Sequence, residues 1–114
     1  MSIIIGQGET KSLIYKILDK DNMFSQEDTL LFALKSVDNN IIYTYEKQVN
    51  ELTLEDGKYI FLIELSSNLT NSFSLGNDKY FFDLTLVAGE KRIPITNVKT
   101  VDVIKTVGAS ISEV

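Results

Sequence analysis

The sequence lacks three residue types altogether: cysteine, histidine and tryptophan. Without cysteine there is no disulfide, no thiolate metal site and no thiol nucleophile. Without histidine the commonest general base and the commonest metal ligand are missing. Serines and threonines are plentiful, but none has an imidazole to activate it. Proline occurs once, at position 94. Positive charge is scarce: 11 Lys and Arg stand against 16 Asp and Glu, for a formal net charge of −5. Nucleic acid and anionic membrane both call for Lys/Arg patches, so neither is an expected partner. Long apolar runs are absent too. The opening Met1-Ser2-Ile3-Ile4-Ile5-Gly6 has no basic segment and only three consecutive apolar residues, too few for a signal-peptide core. No stretch approaches the ~18 apolar residues of a membrane helix. Asn68-Leu69-Thr70 fits a glycosylation sequon, but without a secretion signal it reads as chance.

What remains is ordinary globular material. The chain has 114 residues, 44% hydrophobic and 24% charged. That is one domain by length, and large enough to build a core without metal or disulfide.

The dominant pattern has a period of two. From Lys79 to Val87, Tyr80, Phe82, Leu84 and Leu86 alternate with Phe81, Asp83, Thr85 and Val87. Aromatic and β-branched residues in this alternation suit a half-buried strand. Lys58 to Leu65 repeats it, with Tyr59, Phe61, Ile63 and Leu65 on one face and the turn signal Asp56-Gly57 ahead. Ile41, Tyr43 and Tyr45 share a face behind Asp38-Asn39-Asn40, whose tolerance of positive φ predicts a hairpin with the preceding segment.

Two segments scan both ways. Ser25-Gln26-Glu27-Asp28 resembles a capping box ahead of a helical face of Leu30, Leu31, Leu34 and Val37. Read as a strand, the same stretch groups Leu30, Phe32 and Leu34. Thr10 to Asp19 gives Ile14, Ile17 and Leu18 as a helix face, or Leu13, Tyr15 and Ile17 as a strand face. Both are short for stable helices and bounded by turn chemistry, which favours strands. Near the end, Ile93 and Ile95 flank Pro94, and the phase shifts near Asn97 before Val101 and Val103. Proline and phase shift both predict an edge strand or a bulge. Residues 66–77 form the one long connection. Its Leu69, Phe73 and Leu75 predict a loop tucked over the core, with room for one helical turn.

The sum is an all-β fold of about seven short strands over residues 1–114, a sandwich or a barrel, with 106–114 a fraying tail.

Candidate chemistry is thin. Gly6-Gln7-Gly8-Glu9-Thr10-Lys11 has the wrong spacing for a phosphate-cradling loop, and Glu9 opposes phosphate, so a turn is expected. Counted from Asp19, an EF-hand loop would need Gly at Phe24 and Glu at Leu30. A solvated turn is expected there instead. Asp83 and Glu64, each alternating out of an apolar strand face, read as solvent-facing positions rather than a glycosidase pair. Tyr15, Tyr43, Tyr45, Tyr59 and Tyr80 are suited to stacking on a sugar or a partner, but their strand-core spacing points to packing. No catalytic, cofactor-binding or metal residue is assigned, and no enzyme activity is expected.

Four segments carry a family resemblance. Gly8-Glu9-Thr10 looks like a Gly-acid-Thr opening. Asp28-Thr29-Leu30-Leu31-Phe32-Ala33-Leu34-Lys35-Ser36 looks like an acid-Thr-apolar-x-Phe-x-apolar-Lys-Ser strand. Tyr59-Ile60-Phe61-Leu62-Ile63-Glu64-Leu65 looks like a middle strand. Leu75-Gly76 through Tyr80-Phe81-Phe82-Asp83-Leu84 looks like a Leu-x-x-Gly-x-Tyr-x-Tyr/Phe-Asp-apolar segment. In these the chain resembles the small β-sandwich proteins of phage and prophage tails, baseplates and fibres in Gram-positive bacteria, similar to the N-terminal domain of the upper baseplate protein. It departs by placing Asn77-Asp78-Lys79 between Gly76 and Tyr80. The resemblance implies a single antiparallel β-sandwich, immunoglobulin-like, and a structural or accessory role, with assembly in the bacterial cytoplasm and then residence in the virion. It implies other phage structural proteins, and further copies of the chain, as partners. Partner-binding residues are not fixed by it. The strands around Pro94 and at Ile3–Ile5 are the candidate edges for pairing. The alternative function is a carbohydrate or cell-surface binding module.

Overall fold

The computed structural model describes residues 3–19, 23–96, 98–105 and 109–113. Its strands in chain order are β1 (Ile3–Gln7), β2 (Thr10–Leu18), β3 (Thr29–Ser36), β4 (Ile41–Gln48), β5 (Thr53–Glu55), β6 (Lys58–Leu65), β7 (Gly76–Ala88), β8 (Lys91–Pro94), β9 (Lys99–Lys105) and β10 (Ala109–Glu113). A 3₁₀ turn, Val49–Glu51, precedes β5, and one short helix, α1 (Ser67–Asn71), follows β6. Among the described residues there are therefore ten strands, where about seven were expected.

They form two sheets around a common core. The larger has the order β1-β9-β7-β3-β4, with β8 also paired to β7, and the smaller has the order β10-β2-β6-β5. Both segments that scanned two ways are strands. Tertiary pairing decides such cases, because β2 and β3 each gain a partner along their whole length. The alternation then does what it predicts. Leu13, Tyr15 and Ile17 of β2 and Phe61, Ile63 and Leu65 of β6 meet Leu30, Phe32 and Leu34 of β3 and Tyr80, Phe82, Leu84 and Leu86 of β7.

One expectation needs correction: the sheets are not purely antiparallel. β1 runs parallel to β9, with Ile3 opposite Val101, and β10 runs parallel to β2, with Ala109 opposite Thr10. The first two strands and the last two each place one strand in either sheet, so β1 lies beside β9 and β10 beside β2, each pair running in the same sense.

The turns follow local chemistry. Asn39 has φ of 65°, and β3 and β4 pair as the expected hairpin. Asp56 and Gly57 both have positive φ, 51° and 76°, between Glu55 and its partner Lys58. Two positive values in a two-residue loop match the right-handed twist of the flanking strands. Ser25 and Asp28 close a turn rather than a helix, the Ser25 N–H donating to the Asp28 carboxylate at 3.0 Å.

Pro94 ends the edge strand β8, and the ladder on β7 is then interrupted. Thr85 pairs with Pro94, yet Phe82 pairs with Lys99. The two extra residues on the β8–β9 side make this a bulge. Asn97, where the phase shift was expected, lies outside the described residues. A second bulge accommodates Asn77-Asp78-Lys79. Gly76 faces Val103 while Tyr80 faces Val101, with Asp78 at φ of 56° and its N–H donating to the Asp102 carboxylate. The long connection does return over the core. Phe73 is buried against Tyr80, their ring centroids 4.9 Å apart, and the Ser74 N–H donates to the Tyr80 hydroxyl at 2.7 Å. Leu75, by contrast, is exposed. Of the expected frayed tail, 109–113 form β10, and 106–108 and 114 lie outside the described residues.

Candidate interaction surface

Residues directly opposite in a ladder share a face, so the outer face of the smaller sheet can be read from its register. Ile14 sits opposite Leu62, Lys16 opposite Ile60, Leu18 opposite Lys58 and Ile111 opposite Ser12. The same strands send Tyr15, Ile17, Phe61 and Ile63 inward. The outer face of this sheet is therefore mixed, with Ile14, Ile60, Leu62, Leu18 and Ile111 set among Ser12, Lys16, Lys58 and Glu64. Leu18 and Leu62 are each 52% exposed, and Ile111 is 69% exposed. Exposed apolar side chains grouped on a strand face, as Leu62 is with Ile14 and Ile60, are what an interaction surface presents.

The face runs into a groove of about 530 Å³ beside β6. Ile60, Leu62 and Glu64 form its β6 side. Tyr45 and Lys47, at the edge of the larger sheet, form the opposite wall, and Glu51, Leu52 and Thr53 close one end. Tyr45 is held there by stacking on Phe61. Burial, and then the neighbouring Tyr45, raise the titration of the adjacent Tyr43 hydroxyl above its ordinary value.

A second opening, about 280 Å³, lies where the ladder breaks after Pro94. Tyr15 and Thr96 line it with Ile17, Met23, Phe24 and Ile95. The Tyr15 hydroxyl and Thr96 Oγ1 are buried side by side, but neither meets hydrogen-bond geometry with the other or with any other group. Burial, chiefly, pushes the Tyr15 hydroxyl well above its ordinary range. Thr96 opposes this and the Asp83 carboxylate adds to it.

The residues considered from sequence fall elsewhere. The Gly6–Glu9 turn is closed by its own carboxylate: the Gly6 N–H donates to Glu9 Oε1 at 2.7 Å, and the Glu9 N–H donates to the Gly6 carbonyl at 3.1 Å. Those amides are already engaged, so the turn is no phosphate cradle. Asp19 accepts from the Phe24 N–H at 3.2 Å, and Lys20, Asp21 and Asn22 lie outside the described residues. Asp83 and Glu64 stand on different sheets. The five tyrosines form no exposed stacking face: Tyr15 and Tyr80 are buried, and Tyr43, Tyr45 and Tyr59 pack against the core. Among the described residues no group of three or more Asp and Glu is placed to hold a metal ion, and no helix is long and apolar enough to cross a membrane.

The open edges belong to strands paired on one side only among the described residues. They include β1 and β8, the two strands singled out from sequence. Sequence reasoning missed the outer face of the smaller sheet. Its signal was present: Ile60 and Leu62 fall between Tyr59, Phe61 and Ile63, where a solvent-facing strand would carry polar residues. No family model matches the chain, and neither a curated protein nor a solved structure matches it.

Proposed function

We propose that this chain is a structural or accessory protein of a phage or prophage particle, in its tail, baseplate or fibre. It acts through protein–protein assembly on an immunoglobulin-like sandwich and not through catalysis. The observation that carries the assembly role is the group of apolar side chains on the outer face of the smaller sheet, centred on Ile14 and Leu62 with Ile60 beside them. Covering such a face stabilises an assembly by roughly 25 cal/mol for each Å² removed from water. The particle context comes from the likeness of Asp28–Ser36 and Tyr80–Leu84 to strands of the small tail and baseplate sandwiches. Its partners are other structural proteins of the particle, and further copies of itself within a symmetric array. The chain assembles in the bacterial cytoplasm and stays with the virion. The test is mass spectrometry of particles purified after prophage induction in the bacterium that encodes the chain. Stoichiometric presence is expected, and particles that form without it overturn the reading.

A further inference from the structure

Strand β5 covers only part of the edge it pairs with. Its three residues reach Lys58, Tyr59 and Ile60 of β6. The chain before Thr53 then turns away through the 3₁₀ segment toward β4. β6 continues for five residues, Phe61–Leu65, held by β2 on one side and by no strand on the other among the described residues. Along an antiparallel strand, successive residues point their N–H and C=O to opposite sides. Phe61, Ile63 and Leu65 are entirely buried, whereas Leu62 is half exposed and Glu64 is exposed. Glu55 and Lys58 flank the two-residue Asp56-Gly57 turn and so form a hydrogen-bonded pair, which turns the backbone groups of Lys58 and every second residue after it toward the β5 side. On the open stretch these are the groups of Leu62 and Glu64, each offering one donor and one acceptor in line with β5.

That open stretch borders the groove beside β6. Toward the core the groove offers Tyr45 and Leu52, and at its rim two carboxylates, Glu51 and Glu64, against the single ammonium of Lys47. A chain laid along it as a strand would alternate, with one set of side chains on Tyr45 and Leu52 and the other beside Glu64. We infer that the Phe61–Leu65 edge receives an extended segment of a partner protein, alternately apolar and basic, added antiparallel to β6 as a continuation of β5. Backbone hydrogen bonds supply the affinity, while the groove and its carboxylates select the side chains. This inference rests on the assembly reading and names the partner segment. Its test needs no particle, so the two fail separately.

The probe is an acetylated, amidated Lys-Val-Lys-Val-Lys-Val-Lys peptide, titrated into the full isotope-labelled chain by NMR. Saturable shifts and slowed exchange are expected at the Leu62 and Glu64 amides. The same peptide N-methylated at alternate residues keeps every charge and side chain but cannot complete the ladder. It should bind at least about tenfold more weakly, the equivalent of two lost hydrogen bonds. Glu64→Gln, at an exposed position, should weaken the unmodified peptide a fewfold. Three results overturn the inference: no change at these two amides with millimolar peptide, equal binding of the N-methylated peptide, or concentration-dependent protection of the same amides by the chain alone.

Discussion

Tyr45 of β4 stacks on Phe61 of β6, with ring centroids 5.8 Å apart and planes inclined by 19°. The other aromatic pairs among the described residues lie within one sheet or join a sheet to a loop, so this stack is the ring contact that ties the two sheets together. Phe61 is fully buried, and Phe61→Ala should cost about 3–5 kcal/mol. Tyr45 is only partly buried, so Tyr45→Ala should cost less. A double-mutant cycle by urea unfolding should return a coupling of about 0.5–1.5 kcal/mol. A coupling near zero would mean that the stack adds nothing beyond burial.

Tyr15→Phe removes a buried hydroxyl that has no partner. Stability at neutral pH should stay within about 0.5 kcal/mol of the parent or rise, since no hydrogen bond is lost. A loss above about 1 kcal/mol would reveal a bonded hydroxyl.

The same residue sets an alkaline limit. The folded Tyr15 titrates above its unfolded value, so both states are neutral below about pH 10 and the full stability is present there. Above that pH the unfolded tyrosine ionises while the folded one stays protonated. Stability then falls by up to about 1.4 kcal/mol per pH unit, until the folded hydroxyl also ionises. Tyr43 shifts in the same direction and persists in the variant. The stability of Tyr15→Phe should therefore decline less steeply above pH 10, as measured by denaturant titration at stepped pH. Equal slopes would place the Tyr15 hydroxyl in water.

Thr70 anchors α1 to the β1–β2 turn, its buried hydroxyl donating to the Glu9 carbonyl at 2.6 Å. Thr70→Val keeps the shape and removes this bond, for an expected loss of about 0.5–1.5 kcal/mol. Thr70→Ser keeps the donor and should retain most of the stability. Thermal unfolding of the two variants separates the hydrogen bond from the packing.

Leu18 lies on the outer face of the smaller sheet and touches the proposed assembly role directly. Leu18→Lys should change stability by less than about 0.5 kcal/mol, as exposed positions do. The variant should be depleted from purified particles. Incorporation equal to the parent would remove this face from the assembly.

Much of the fold was legible because its strands alternate locally. Lys79–Val87 and Lys58–Leu65 announce themselves by side-chain period, and Asp38-Asn39-Asn40 and Asp56-Gly57 by turn chemistry. Pro94 foretold the interruption of the ladder. The parallel pairings were not legible. Which distant strand lies beside Ile3–Ile5 depends on where both sheets end, and no neighbouring residue encodes that. Ala109–Glu113 has little apolar alternation, and the ladder of β2 specifies it as a strand. β5, at three residues, is too short to show a period. The interaction face stayed hidden because Ile60 and Leu62 merge with the core residues around them into one apolar run, which does not reveal that half of its side chains remain uncovered.

The parallel pairs have a kinetic consequence. Ile3 meets Val101, and Thr10 meets Ala109, so nearly the whole chain must be looped before either contact forms. Loop entropy is lost before such contacts give any return, and non-local pairing slows folding. The β3–β4 and β5–β6 hairpins close over a few residues and can form early. The first and last strands are therefore expected to join late, which leaves β2 and β9 each bare along one side in the meantime. Those bare edges are where a crowded assembly pathway would meet its earliest competitor, another unfinished copy of the same chain.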